Sequence, residues 1–218
     1  MDAWRQWIRH RTASVNEYST RYSVAIDSAQ KTPPGDWRTQ SKKNRQGSEE
    51  YLDKTSGAEL SEKETELQES ARKLYEARLA AGVSREQARK DLPLSTYTEA
   101  YWKVNLHNLL HFLKLRMDMH AQEEIRKYAE VIGNEIVARW CPITWEAFQD
   151  YFMNALELSA TERKVIAEVA GGNKSGATEI ARAAGMLNQV DGRLAKNRER
   201  DELEAKLKEL NLPVPWEK

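Results

Sequence analysis

Between Pro93 and Pro142 the chain sustains an apolar pattern of helical period. Asn105 is a good helix N-cap, because its side-chain oxygen accepts from backbone N–H groups that a first turn leaves unpaired. A helix is therefore predicted over 106–117. A longer one follows to Trp140, with Ile125, Tyr128, Ile132 and Ile136 on one face, and Pro142 ends it because proline cannot donate to the helical ladder. Apolar residues laid out at this spacing commit much of the core to packed helices.

The rest of the chain is read against that anchor. Trp4, Gln6 and Ile8 alternate with Arg5, Trp7 and Arg9, and this period of two predicts a short strand over 1–11. Residues 12–30 are polar. Pro33, Pro34, Gly35, Gly47 and Gly57 predict a long surface loop over 31–59. Ser61 and Glu64 form a capping-box pattern ahead of Leu67, Ala71, Leu74 and Arg78, and Gly82 closes that helix. Ser84 and Gln87 repeat the pattern for a shorter helix, stopped by Pro93. Residues 95–104 fit strand or helix. Thr144 can cap a helix through Leu156. Ser159 and Glu162 cap another, broken by Gly171 and Gly172. Residues 198–210 form a charged helix, and Pro213 and Pro215 close the chain. Thr178-Glu179-Ile180-Ala181 and Ala184-Gly185 faintly resemble a helix-turn-helix, without a basic face.

Composition narrows the function. The 34 Lys and Arg balance 34 Asp and Glu, which argues against a protein that coats nucleic acid. One cysteine, Cys141, allows no intramolecular disulfide and reads best as a structural thiol. The first eleven residues lack the apolar stretch of a signal peptide, and no apolar run is long enough to span a bilayer. The expectation is a soluble protein of the reducing cytoplasm, with no membrane partner.

Two segments concentrate chemistry. On a helical wheel Leu109, Phe112 and Leu113 share a face with Arg116 and His120, while His107, His111, Lys114 and Asp118 form a polar row opposite. An arginine on an apolar stripe needs a carboxylate partner or an anionic ligand, since an unpaired buried charge is costly. Both readings stand equally for Arg116. His107 and His111, four apart, have metal-ligand spacing, but no third ligand is evident, and no metal is expected. The second segment is Arg9-His10-Arg11. On a strand both guanidiniums point one way and suit a phosphate or diphosphate, which arginine grips through forked donors. A solvated charged strand explains the same residues slightly better on composition alone.

The wider pattern carries a resemblance. Arg9-His10-Arg11 followed by seven residues and Ser19, within the run from Arg5 to Ser23, is similar to the signature of the flavin-dependent thymidylate synthases. A second block agrees: Asn105-Leu106-His107-Asn108-Leu109-Leu110-His111-Phe112-Leu113, then Leu115-Arg116, Asp118 and His120-Ala121-Gln122. Ala88-Arg89 with Leu92-Pro93 is a third, weaker one. The resemblance covers roughly 4–155, plus a closing helix near 198–212.

That resemblance implies an α+β subunit, a central mixed sheet packed with helices, helix-rich here because the family's N-terminal segment looks shortened. It implies a homotetramer with shared active sites, in which FAD lies over dUMP, NADPH reduces the flavin, and methylenetetrahydrofolate, a folate, supplies the carbon that makes dTMP. Arg9, His10, Arg11, Glu17, Asn105, Leu106, His107 and His111 take the place of flavin contacts. Gln6, Arg9, Glu17, Tyr18, Ser19, Thr20, Arg21, Arg89 and Arg116 take the place of the dUMP cradle. Arg116 resembles the arginine that favours ionisation at N3 of the uracil, and His120 takes the place either of a residue on the flavin side or of one that supports the residues touching the ligands. The expected layout is a catalytic domain over 1–158 and a helical extension over 159–218. Alternatives are a catalytically impaired dUMP- or flavin-binding remnant or truncated form and, more weakly, a nucleic-acid-binding module.

Overall fold

The computed structural model describes residues 2–41 and 47–217. The chain opens with helix α1 (Asp2–Trp7), not the expected strand. Its turn continues as Ile8 donates to the Trp4 carbonyl and His10 to that of Trp7, both at 3.0 Å. Tertiary packing overrides the short alternation. Trp4 and Trp7, three apart, come to one side only on a helix, and Trp7 lands 4.7 Å from the Phe112 ring and 5.4 Å from Trp102. Arg9 and Arg11 therefore do not share a strand face.

The polar stretch after it contains β1 (Ser14–Glu17). The expected loop over 31–59 holds β2 (Arg38–Gln40), β3 (Ser48–Tyr51) and the start of α2 (Lys54–Ala80). Asp53, not Ser61, caps that helix, accepting from the Thr55 and Ser56 N–H groups at 3.0 Å each. Ser61 and Glu64 lie inside it and hold the preceding loop. Ser61 Oγ donates to the Thr32 carbonyl at 2.6 Å, and Glu64 accepts from the Thr32 N–H at 2.7 Å. Gly57 permits the approach, since a Cβ there would overlap the Pro34 carbonyl oxygen. The side of α2 that is buried is Gly57, Gln68 and Tyr75, whereas Leu67 and Leu74 are exposed.

Next come α3 (Arg85–Ala88), where Ser84 makes no side-chain cap, and β4 (Ala100–Lys103), which settles 95–104 as partly strand. Helix α4 (Leu106–Arg116) starts as expected, with Asn105 Oδ1 accepting from the Asn108 N–H at 2.9 Å. Helix α5 (Glu123–Val131) runs through a π-helical segment, Ile132–Val137, into α6 (Ala138–Trp140). Its buried line is Ile125, Ala129, Gly133 and Val137; Tyr128 is exposed. Pro142 does more than end this helix. It occupies the first turn of α7 (Pro142–Phe148), where its missing N–H costs nothing, so Thr144 is not the cap. A second π-helical segment, Gln149–Met153, follows.

The chain divides into two compact units at Met153 and Asn154. In the second, α8 (Ala160–Ala170) has the expected capping box: Ser159 N–H donates to Glu162 at 2.7 Å, and Glu162 N–H to Ser159 Oγ at 3.2 Å. Then come α9 (Lys174–Ala183), the hairpin β5 (Gln189–Val190) and β6 (Arg193–Leu194), and α10 (Arg198–Glu209). Asp191 and Gly192 both have positive φ, 50° and 73°, as a two-residue hairpin turn requires. Val165, Val169, Ala177, Ala181, Leu203 and Leu207 form this unit's core.

The class is α+β, with a sheet component smaller than expected. The strands pair only as two-stranded antiparallel ribbons, β1 with β4, β2 with β3 and β5 with β6, and no central mixed sheet forms among the described residues. Each strand is four residues or shorter, so most of the core comes from helices.

Candidate functional site

Helix α4 organises the first unit's chemistry. Its inward side buries Phe112 and Leu113 completely, in a cluster with Trp7, Trp102, Ile125 and Ala129. One turn after Phe112, Arg116 projects along the same side toward the end of α1. Its Nε donates to His10 Nε2 at 3.0 Å, and its terminal nitrogens reach the Gln6 side-chain and backbone oxygens at 3.4 Å each. The His10 ring packs edge-on against Phe112, 4.9 Å between centroids. Gln6 also donates to Gln122.

Of the two readings of Arg116, the carboxylate partner is not found among the described residues, and Arg9 and Arg11 have none there either. Burial first, and then the like charge of Arg9, pull the Arg116 guanidinium below its ordinary value. Burial, then the charge of Arg116, pull the His10 imidazole down as well. A neutral His10 is the form that accepts a hydrogen bond from arginine. Arg116 thus sits in the field of Arg9 with neutral hydrogen-bond partners. An anion placed there gains a strong interaction, because partial burial weakens screening by water.

A second group gathers around the 17–24 segment. Arg89 donates to Thr20 Oγ1 at 2.5 Å, Arg21 pairs with Glu86 at 3.4 Å, and Arg85 donates to the Tyr22 carbonyl at 3.2 Å. Ser19 Oγ accepts from the Arg21 N–H at 3.4 Å, and Tyr18 donates to the Val24 carbonyl at 3.0 Å. Glu17, at the end of β1, accepts from Thr98 at 2.9 Å. The family resemblance put these residues in one cradle with Arg116. Within one chain they form two groups, and no hydrogen bond or ion pair among the described residues joins the 17–24 segment to Arg116.

The remaining candidates lie on the outer side of α4. Asn105 spends its side-chain oxygen on the cap, Leu106 is exposed beside it, and His107 and His111 are exposed with their Nε2 atoms 3.2 Å apart. Lys114 lies over the Phe152 ring at 5.6 Å. His120 departs from the wheel, because α4 ends at Arg116. It is exposed, and both its backbone N–H (2.7 Å) and its Nδ1 (2.8 Å) meet Asp118. Burial raises the Asp118 carboxyl, but these bonds outweigh it and the net value falls.

Sequence reasoning missed Arg38, which it left in a loop. Arg38 bridges Glu123 and Glu124, tying the β2–β3 ribbon to the first turn of α5, and Glu124 accepts at 2.5 Å. Gln122 stands in a motif with no role assigned to it; it holds Gln6. These contacts span 85 and 116 residues of sequence, so no local signal exists for them.

The first unit thus holds a half-buried arginine with no carboxylate partner among the described residues, in the field of a second arginine and against an imidazole. Comparisons with known proteins give the family. A family model described as thymidylate synthase complementing protein matches residues 1–143. The flavin-dependent thymidylate synthase of Dictyostelium discoideum is 48% identical over 162 residues, which are 74% of this chain and 53% of that protein. An enzyme of the same name from Thermus thermophilus is 47% identical over 162 residues, 74% of this chain and 58% of that one. Among solved structures, the UMP/dUMP methylase PolB from Streptomyces cacaoi bound with 5-Br dUMP superposes with a TM-score of 0.58 at 30% identity. The match covers 69% of this chain and 67% of that one. The chain belongs to the thymidylate synthase complementing protein family. It spans between half and two thirds of the length of the curated relatives it matches.

Proposed function

We propose that this chain is a flavin-dependent thymidylate synthase, which methylates dUMP to dTMP with methylenetetrahydrofolate as carbon donor and NADPH-reduced FAD as hydride source. The observation that carries the reading is Arg116, a half-buried guanidinium whose partners among the described residues are His10 and Gln6. Membership of the family and the names of its relatives support it.

In this reading Arg116 lies beside the uracil ring and stabilises negative charge at N3 as the ring becomes nucleophilic. Arg9 strengthens the local positive potential, and the two charges hold each other ready for an anion. Neutral His10 fixes the guanidinium through Nε without cancelling its charge. Gln6, Tyr18, Ser19, Thr20, Arg21 and Arg89 hold the nucleotide's sugar and phosphate. Arg9 and Arg11, exposed and without carboxylate partners among the described residues, fit a flavin diphosphate, with Glu17, His10, Asn105, Leu106, His107 and His111 along its other contacts. The bound flavin supplies the hydride that completes the methyl group. The enzyme in this reading is a homotetramer whose sites combine residues of different subunits. Residues 1–158 are the catalytic domain in this reading and 159–218 a helical extension, in a cytoplasmic enzyme. No helix among the described residues is long and apolar enough to cross a membrane.

The test is a visible absorption spectrum of the purified chain after incubation with FAD and desalting, with and without dUMP, followed by a dTMP assay. Retained flavin absorption that shifts with dUMP, together with turnover, is the expected result. Retention without turnover favours the impaired remnant, and loss of flavin rejects the reading.

A further inference from the structure

His107 and His111 stand one helical turn apart on the outer side of α4, four residues from one to the other. Both are exposed, their rings are edge-on at 4.6 Å, and their Nε2 atoms are 3.2 Å apart. At this distance an Nε2–H on one ring donates to the Nε2 of the other. The same spacing matches a metal bite. With metal–nitrogen bonds of about 2.05 Å, a 3.2 Å separation subtends about 103° at the metal, close to the tetrahedral angle. Binding a cation moves the Nε2 proton to Nδ1 of its own ring, so that both rings offer an Nε2 lone pair, and this tautomer change needs no movement of the helix. Among the described residues no third His, Cys, Asp or Glu joins the pair. The other coordination positions fall to water, and the site selects cations that favour imidazole over oxygen ligands.

We propose that His107 and His111 form a bidentate site for a first-row transition-metal cation such as Ni²⁺, Cu²⁺ or Zn²⁺, and that its occupancy excludes the flavin. The exclusion rests on the reading that the same two imidazoles contact the flavin: a nitrogen lone pair given to a metal is not available to the cofactor. The chelate itself rests only on the 3.2 Å geometry. Free transition metal would thus inhibit the enzyme by competing with its cofactor, without touching Arg116.

The experiment is a calorimetric titration of NiCl₂ into the untagged full chain, flavin-free and flavin-loaded, with MgCl₂ as the hard-cation control. One saturable nickel site is expected on the flavin-free chain, with no magnesium binding. His107→Ala and His111→Ala should each weaken nickel binding at least tenfold while far-ultraviolet circular dichroism shows the helix retained. His111→Gln, which keeps a polar side chain but loses the ligand nitrogen, should behave like the alanine variant. Flavin loading should weaken nickel binding at least tenfold. Nickel binding unchanged in the histidine variants overturns the chelate, and equal affinity of flavin-free and flavin-loaded chains overturns the exclusion. Flavin retention in metal-free buffer is measured separately. Its failure counts against the synthase reading alone, because the histidine dependence of nickel binding needs no flavin.

Discussion

Arg116 in the first unit and Arg200 in the second are both shielded guanidiniums, and they are satisfied in different ways. Arg200, 9% exposed, meets Asp201 at 2.8 Å and Glu204 at 3.5 Å and donates to the Ala195 carbonyl at 2.8 Å. Lys206, in the same helix, pairs with Glu162 at 2.6 Å. Both of these shielded cations are neutralised within their own unit. Arg116 instead has an imidazole and an amide, with Arg9 adding like charge. Charges that serve a scaffold are matched locally, because burial without a counter-charge is costly. In the proposed synthase that cost is offset only when an anionic ligand binds.

Four measurements probe this contrast. The largest effect is expected from Leu203→Ala, which empties a fully buried position of the second unit. It should cost about 2–5 kcal/mol in that unit, read by denaturant unfolding. Flavin retention by the first unit should persist, and its loss would show that the units are not independent. Next, Arg116→Ala should keep fold and flavin but reduce dTMP formation about 10²–10³-fold, the range for losing one preorganised electrostatic group. Normal turnover in this variant would remove Arg116 from the mechanism.

Glu162→Gln follows. It leaves Lys206 without a counter-charge and weakens the Ser159 cap, at about 1–3 kcal/mol of stability. An unchanged unfolding midpoint would mean that the second unit's ion pairs are not what distinguishes it. The smallest effect concerns pH. His10 is held below its ordinary value, so the neutral form is favoured in the folded protein and its contribution is complete above about pH 6.5. As pH falls through the lowered value, protonation breaks the bond from Arg116. The dUMP affinity should therefore be level above that pH and decline on the acid side. His10→Gln should flatten the decline, and an identical profile would place the titrating group elsewhere.

The legibility of the molecule follows the range of its interactions. Asn105 and the Ser159–Glu162 capping box were readable because donor and acceptor lie within four residues. The apolar side of α4, with Arg116 on it, was readable for the same reason. Failures cluster where local preferences were nearly balanced. The alternation in 1–11 was too short to outweigh the aromatic packing of Trp7. Ser61 and Glu64 looked like a cap, but Asp53 offered a better one about two turns earlier, and the helix left them free to hold Thr32. A buried line at 125, 129, 133 and 137 replaced the expected one because a helix's inward side is chosen by what it packs against.

The helix-rich class, the principal caps and the residues that carry family membership were all written in the order of amino acids, since each depends on near neighbours along the chain. Two features needed the folded chain: Arg116 meets His10 rather than a carboxylate, and Arg38 ties two glutamates 85 and 86 residues away. Such contacts gain their energy from groups that approach only when the core has closed, and no local pattern along the chain encodes which of them will meet.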